Sequence, residues 1–238
     1  MGILARVAKL ATLILRFESR PRRVRVVVPR GVEETPPVLV LFDGQNVLGD
    51  LGSHAGGWRA HEAIERLPGT VRRPVLLAVD HGHQHRVREL WDDLDPLFAF
   101  IVRDVVPQAE ASLGLRFDSE ARMIGGASMG GLASLAAPAR LPHFFRGALA
   151  MSPSAWLVPH TISHELRHAR LSRAARAYVD VGHRESDGMV RHATQVTQIL
   201  ESRLGAGQVM WRPDRRGQHR ERDWRRRLPK ALRFLFRR

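Results

Sequence analysis

The chain has no cysteine, which excludes a disulfide scaffold, a thiol nucleophile and any zinc site built on cysteine ligands. Lysine is nearly absent, with Lys9 and Lys230 the only two, and there is a single tyrosine, Tyr178. Acidic residues are also short, 24 against 38 basic ones, so the formal charge is +14. A basic balance of that size fits nucleic acid, anionic lipid or an acidic substrate as a partner. The arginines, however, are spread along the whole chain. The denser groups at 20–25 and 212–227 lack the interleaved aromatics of a base-stacking surface, and no zinc-finger or RNA-recognition signature is present. No nucleic-acid partner is expected. No apolar run is long enough to span a bilayer, and Arg6 and Lys9 interrupt the weakly apolar N-terminus. Gly2 lacks the downstream Ser or Thr of a myristoylation signal, because Arg6 stands there. The expectation is a cytoplasmic protein without a membrane span.

What is present is an alternation of short apolar runs with longer helical patterns, the signature of an α/β sheet. Leu10–Phe17 and Val24–Val28 read as strands joined by a turn at Arg20-Pro21. Val38–Phe42 and Val75–Val79 read as strands buried on both faces. Leu97–Ala111 carries apolar residues at helical spacing. Ala121–Ile124, Ala148–Met151, Ala177–Val181 and Val209–Trp211 continue the strand series. Between them fall a small-residue helix stopping near Pro138, an excursion over 153–176 that is helical around Glu165–Ala175, and helices at Met189–Leu204 and Trp224–Phe236. With 44% hydrophobic residues in 238, one domain covering 1–238 is expected.

Gly126-Ala127-Ser128-Met129-Gly130 has the spacing Gly-x-Ser-x-Gly, preceded by an apolar strand and followed by a small-residue helix. That context suits a nucleophile elbow, in which a tight strand-to-helix turn exposes the serine hydroxyl. Ser128 is then the nucleophile. The Met129 N–H, opening the helix, is one oxyanion donor. A serine hydroxyl needs a histidine to take its proton and an acid to orient that histidine. After the Ala177–Val181 strand, the segment Gly182-His-Arg-Glu185-Ser-Asp187 offers two carboxylates. After Val209–Trp211, His219 lies in a loop before the last helix, and His164, His168 and His192 fall in helical patterns. Asp80-His81-Gly82-His83-Gln84-His85 places histidines at alternate positions. On an extended segment these could share a face and hold a metal, but serine-based chemistry needs none, and a polar loop rimming the site is the reading adopted. Trp58 and Trp156 are candidates for a substrate rim or for ordinary packing.

Taken together, these segments resemble the esterase family of α/β-hydrolases that includes enterochelin esterases, feruloyl esterases, S-formylglutathione hydrolase and the mycolyltransferases. The matching elements are the strand end Leu39–Asn46, Phe100–Pro107, the elbow, Ser152-Pro153-Ser154, and a final Gly217-x-His219 element ending in Trp224. The resemblance implies an α/β-hydrolase fold, with a mostly parallel central sheet, helices on both faces and little or no cap. It implies Ser128, Glu185 and His219 as the catalytic triad, with Asp187 the alternative acid. It implies the Gln45 N–H as the second oxyanion donor, because Asp43-Gly44-Gln45 stands where lipases carry a glycine-rich loop. Asn46, Arg86 and Glu89, the last two matching an Arg-x-x-Glu element, are implied as rim residues beside Trp58 and Trp156. The expected activity is hydrolysis of a small-molecule or glycoconjugate carboxylic ester through an acyl-enzyme, with no cofactor and no metal. Transfer of the acyl group to an alcohol acceptor, and a non-catalytic binding protein on the same scaffold, are the alternatives.

Overall fold

The computed structural model describes residues 9–49, 53 and 56–238. Residues 1–8, including Gly2 and Arg6 of the N-terminal pattern, lie outside them. Eight strands form one sheet: β1 (Lys9–Phe17), β2 (Arg20–Val28), β3 (Val38–Leu41), β4 (Val75–Val79), β5 (Arg122–Ala127), β6 (Gly147–Met151), β7 (Arg176–Gly182) and β8 (Val209–Asp214). Their spatial order is β1-β2-β4-β3-β5-β6-β7-β8. From β4 to β8 all neighbours are parallel, and β1 and β2 add an antiparallel hairpin at one edge.

Alternation of side chains along each strand divides the core into two layers. Val38, Val40, Ile124, Ala148 and Val179 face one layer. There they meet α2 (Leu94–Phe100), α3 (Val106–Leu113), α4 (Met129–Arg140), α5 (Pro159–His168) and α6 (Asp187–Leu204). Leu39, Leu41, Leu76, Leu149 and Tyr178 face the other, covered by α1 (Ala60–Glu65) and α7 (Glu221–Leu235). The fold is that of an α/β-hydrolase, with the carboxyl ends of β3, β5, β6, β7 and β8 opening on one side.

Several boundaries differ from the sequence reading, each for a local reason. The first turn is Glu18-Ser19, both at positive φ, as a two-residue hairpin requires. Arg20 and Pro21 are already paired with Phe17 and Arg16. Pro21 lies outside the β2–β4 register, so its missing N–H costs no ladder bond. The helix around 97–111 runs from α2 into α3 through a π-helical turn at Ile101–Val105. Pro138 sits inside α4, which continues to Arg140. In the 152–175 excursion the helix is α5, earlier than expected, and Ala169–Ala175 is not helical. Ile162 and Leu166 bury in the core, so α5 belongs to the helical layer and builds no lid. Residues 83–85 form a tight 3-10 turn, so the alternate histidines do not share an extended face.

Glu89, expected at the rim, is inside. Its side chain is 2% exposed and takes both guanidinium nitrogens of Arg22 at 2.9 and 2.7 Å. It also accepts the Gly82 N–H at 3.0 Å. Arg22 donates to the Asp80 carbonyl at 3.0 Å and stacks on Phe17, so this pair clamps the hairpin to the loop after β4. A bidentate, fully paired charge inside a core is costly to break from one side only. Glu89→Ala is therefore expected to lower the unfolding free energy by about 3–5 kcal/mol, read by urea denaturation. A rim residue would instead change KM and leave stability alone.

Candidate active site

Ser128 joins β5 to α4 at φ 58°, ψ −121°, a conformation that costs a non-glycine residue about 1–3 kcal/mol and persists only where the surroundings impose it. Here the Ser128 N–H donates to the Met151 carbonyl and the Ser154 N–H donates to the Ser128 carbonyl, both at 3.0 Å. The turn is so tight that a Cβ on Gly126 would stand 2.6 Å from the Gly130 carbonyl carbon. Ser128 is half-buried, and its Oγ shares a hydrogen bond with Ser154 Oγ at 3.1 Å. Met129 is the first residue of α4, where amides have no intrahelical acceptor.

Across the sheet edge, Asp43 adopts a left-handed conformation and starts a 3-10 turn over Gly44–Asn46. Arg86 grips the Asp43 carboxylate through Nε and Nη2 at 2.7 and 2.8 Å, while its Nη1 lies 3.4 Å from Met129 Sδ. Arg86 thus ties the Gln45 turn to the elbow. Gln45 and Asn46 are half-buried. The Gln45 side chain accepts the His81 N–H at 3.4 Å, and the Asn46 carbonyl accepts the Trp58 N–H at 2.8 Å. Burial pushes the His81 imidazole below its ordinary pKa, opposed by Asp43.

Glu185 and His219 meet over a backbone contact between their loops. A Cβ on Gly182 would lie 2.3 Å from the Gly217 carbonyl, so two chains approach here as only glycine allows. The His183 N–H donates to the Asp214 carbonyl at 2.8 Å and the Arg184 N–H to the Gly217 carbonyl at 3.1 Å. This stitching places His219 Nδ1 2.9 Å from Glu185 Oε2. An ionised carboxylate only accepts, so the proton sits on Nδ1 and leaves Nε2 as the basic nitrogen. His219 is about one-third exposed, whereas the Glu185 side chain is fully buried. Burial alone would raise the Glu185 pKa. Hydrogen bonds from His219, Ser152 Oγ and the Gly182 N–H outweigh it and hold the carboxyl below its ordinary value. No hydrogen bond joins Ser128 to His219 here, and such contacts often close only around a substrate. Asp187 is exposed in the first turn of α6, whose N-cap is Ser186, and has no hydrogen bond or ion pair with His219.

Ser152 had no role assigned from the sequence. It is fully buried at φ 43°. Its Oγ donates to Glu185 Oε1 at 2.7 Å and accepts from Trp224 Nε1 at 3.0 Å and Arg227 Nη2 at 2.9 Å. The Trp224 ring meets His219 edge-on, with centroids 5.0 Å apart. Trp58, a rim candidate, is instead buried behind the site, 5.9 Å from Trp224 between centroids. Its loop turns inward because the Trp58 N–H is spent on Asn46. Trp156 is 46% exposed, and its neighbour Leu157 is 40% exposed; both follow Ser154 in the chain. Asp180 is also completely buried. It accepts from Tyr178 Oη and the Ser152 N–H, and burial pushes its carboxyl up to about 6 despite Arg227. The signals in the sequence were Ser152-Pro153-Ser154 and Trp224, but nothing local says which side chains turn inward.

The model of the family described as "Putative esterase" matches residues 18–235. The chain belongs to that esterase family. Among solved structures, the Shigella flexneri enterobactin esterase superposes with a TM-score of 0.79 at 22% identity, over 95% of this chain and 58% of that one. A ferulic acid esterase gives 0.74 at 18% identity, over 96% and 97%. An IroE-like serine hydrolase from Shewanella oneidensis gives 0.74 at 15%, over 96% and 80%. The chain therefore spans little more than half of the enterobactin esterase, and at these identities the likeness is one of fold. No curated protein matched the chain. Membership of the family supports ester hydrolysis, and no described helix is long and apolar enough to cross a membrane.

Two expectations follow from this geometry. Glu185→Gln lowers kcat about 10³- to 10⁴-fold with little change in KM, whereas Asp187→Asn costs less than about tenfold; steady-state kinetics on a soluble ester rank the two, and the reverse order would move the acid to Asp187. Ser152→Ala removes one of the bonds that hold the Glu185 carboxyl down. Its pKa then rises, which a carbon-13 chemical-shift titration of the Glu185 carboxyl reads directly. The accompanying fall in kcat is about 10- to 100-fold, the equivalent of one charge-assisted hydrogen bond.

Proposed function

We propose that this member of the family is a serine esterase that cleaves a carboxylic ester of a small molecule or glycoconjugate through an acyl-enzyme on Ser128. The observation that carries the reading is the Glu185–His219 pair at 2.9 Å, on the same sheet edge as a strained, half-buried serine at the start of α4. His219 Nε2 takes the Ser128 proton as Oγ attacks the ester carbonyl. Glu185 holds the ring in that tautomer and stabilises the imidazolium. The Met129 and Gln45 N–H groups receive the oxyanion. His219 then gives its proton to the leaving alcohol and later draws one from the water that releases the acid. The Ser154 hydroxyl, already on Ser128 Oγ, keeps the nucleophile oriented until substrate arrives. The exposed apolar side chains of Trp156 and Leu157 suit an ester with an apolar or aromatic part. With α5 packed into the helical layer, the site is open to soluble esters.

Ser128→Ala is expected to lower kcat on short-chain p-nitrophenyl esters by about 10⁶-fold. Most of the activity surviving, or a fluorophosphonate probe labelling another serine, would overturn the assignment. A product that appears only when an alcohol acceptor is added would turn the same acyl-enzyme into that of a transferase.

A further inference from the structure

Outside the reacting centre, β8 and α7 form an open pocket of about 250 Å³ lined by Arg212, Arg215, Arg226, Arg227 and Lys230, with Asp214 the one carboxylate in its wall. Its position follows from the strand register. Arg212 pairs with Asp180 across the β7–β8 ladder and so points to the α7 side of the sheet. Arg226, Arg227 and Lys230 come from α7, and Arg215 follows the end of β8.

The charges in this wall are not balanced from within. Asp214 is shared by Arg226 at 2.5 Å, by Arg227 Nη1 at 3.6 Å and by the Arg216 N–H at 3.1 Å. Arg212, Arg215 and Lys230 are exposed, and none has a hydrogen bond or ion pair with a described residue. Arg227 forms the inner wall. Its side chain is 6% exposed, with Nε 3.1 Å from Asp180 Oδ2 and Nη1 3.6 Å from Asp214 Oδ2. The three outer cations have no partner among the described residues to neutralise them, and several cations around one pocket suit a tetrahedral oxyanion with several oxygens.

We propose that this pocket binds a phosphate- or sulfate-type dianion between Arg212, Arg215 and Lys230, with Arg227 in the wall behind them. The site is separate from Ser128 and does not depend on the esterase reading. It adjoins the active site through Arg227, whose Nη2 is committed to Ser152, and through Asp214, whose carbonyl accepts the His183 N–H.

The test is calorimetric and thermal-shift titration of the full chain with inorganic phosphate, sulfate and phenyl phosphate, at constant ionic strength set by sodium chloride. Saturable binding with a rise in Tm beyond the chloride control is expected. The double variant Arg212→Glu/Lys230→Glu is expected to weaken it by about tenfold or more, through loss of two charge-assisted contacts. Its kcat/KM on a neutral p-nitrophenyl ester should stay unchanged, which shows that the variant is folded. Tighter binding of phenyl phosphate than of phosphate would identify a phosphomonoester as the occupant, and the reverse a free anion. A response that does not saturate, that chloride reproduces, or that the double variant retains in full would overturn the proposal.

Discussion

Ser152 Oγ is the atom on which the candidate site converges. It donates one hydrogen bond to Glu185 and accepts two, from Trp224 and Arg227, so β6, the β7 loop and α7 are joined at one buried hydroxyl. A hydroxyl has one proton and two lone pairs, and all three are used. Removing any partner leaves a buried polar group unsatisfied, which makes the arrangement all-or-none in character. The orientation of His219 is a consequence of this node. Glu185 is fixed by it from one side, and Trp224, fixed by it from the other, lies edge-on against the imidazole.

Behind the node lies a small charged interior. Asp180 and Glu185 are both buried, with Arg227 lying 3.1 Å from the first and 4.0 Å from the second. The two carboxylates respond to burial in opposite senses because their donors differ. Glu185 collects three donors and stays ionised below its ordinary range, whereas Asp180 is pushed up to about 6. For Asp180 the folded state holds its proton more tightly than the unfolded state. Its contribution to stability is full below the ordinary carboxylate pKa and is lost as pH rises toward about 6. Glu185 acts in the other direction, adding stability above the ordinary carboxylate pKa that falls away as pH drops through its lowered value. The two effects occupy adjoining ranges, Asp180 between the ordinary carboxylate pKa and about 6 and Glu185 below the ordinary value.

Where an element is dictated by a local pattern, the sequence showed it. Continuous apolar runs became β3, β4 and β6, and the glycine-flanked serine falls between β5 and α4. Gly182 and Gly217 were visible as residues, but their contact, which brings Glu185 to His219, is a property of two loops far apart in the chain. Glu89 is expected at the rim from its match to an Arg-x-x-Glu element, and Trp58 either there or in ordinary packing; in three dimensions the Trp58 loop folds back on Asn46, and Glu89 finds Arg22 across the hairpin. No period or motif announces a buried Arg–Glu pair. Ser152-Pro153-Ser154 stands out as a matching element, but nothing local says that the Ser152 hydroxyl turns inward to Glu185.

The account makes Ser128 Oγ, the Met129 and Gln45 amides and His219 parts of one reacting centre. The most direct test is a crystal structure of the enzyme after reaction with a dialkyl fluorophosphate, whose tetrahedral phosphorus imitates the tetrahedral intermediate. The account predicts phosphorus bonded to Ser128 Oγ, with its phosphoryl oxygen within about 2.7–3.1 Å of both backbone nitrogens. His219 should remain paired with Glu185. Modification of a different serine, or a Ser128 adduct whose oxygen points away from both amides, would contradict it.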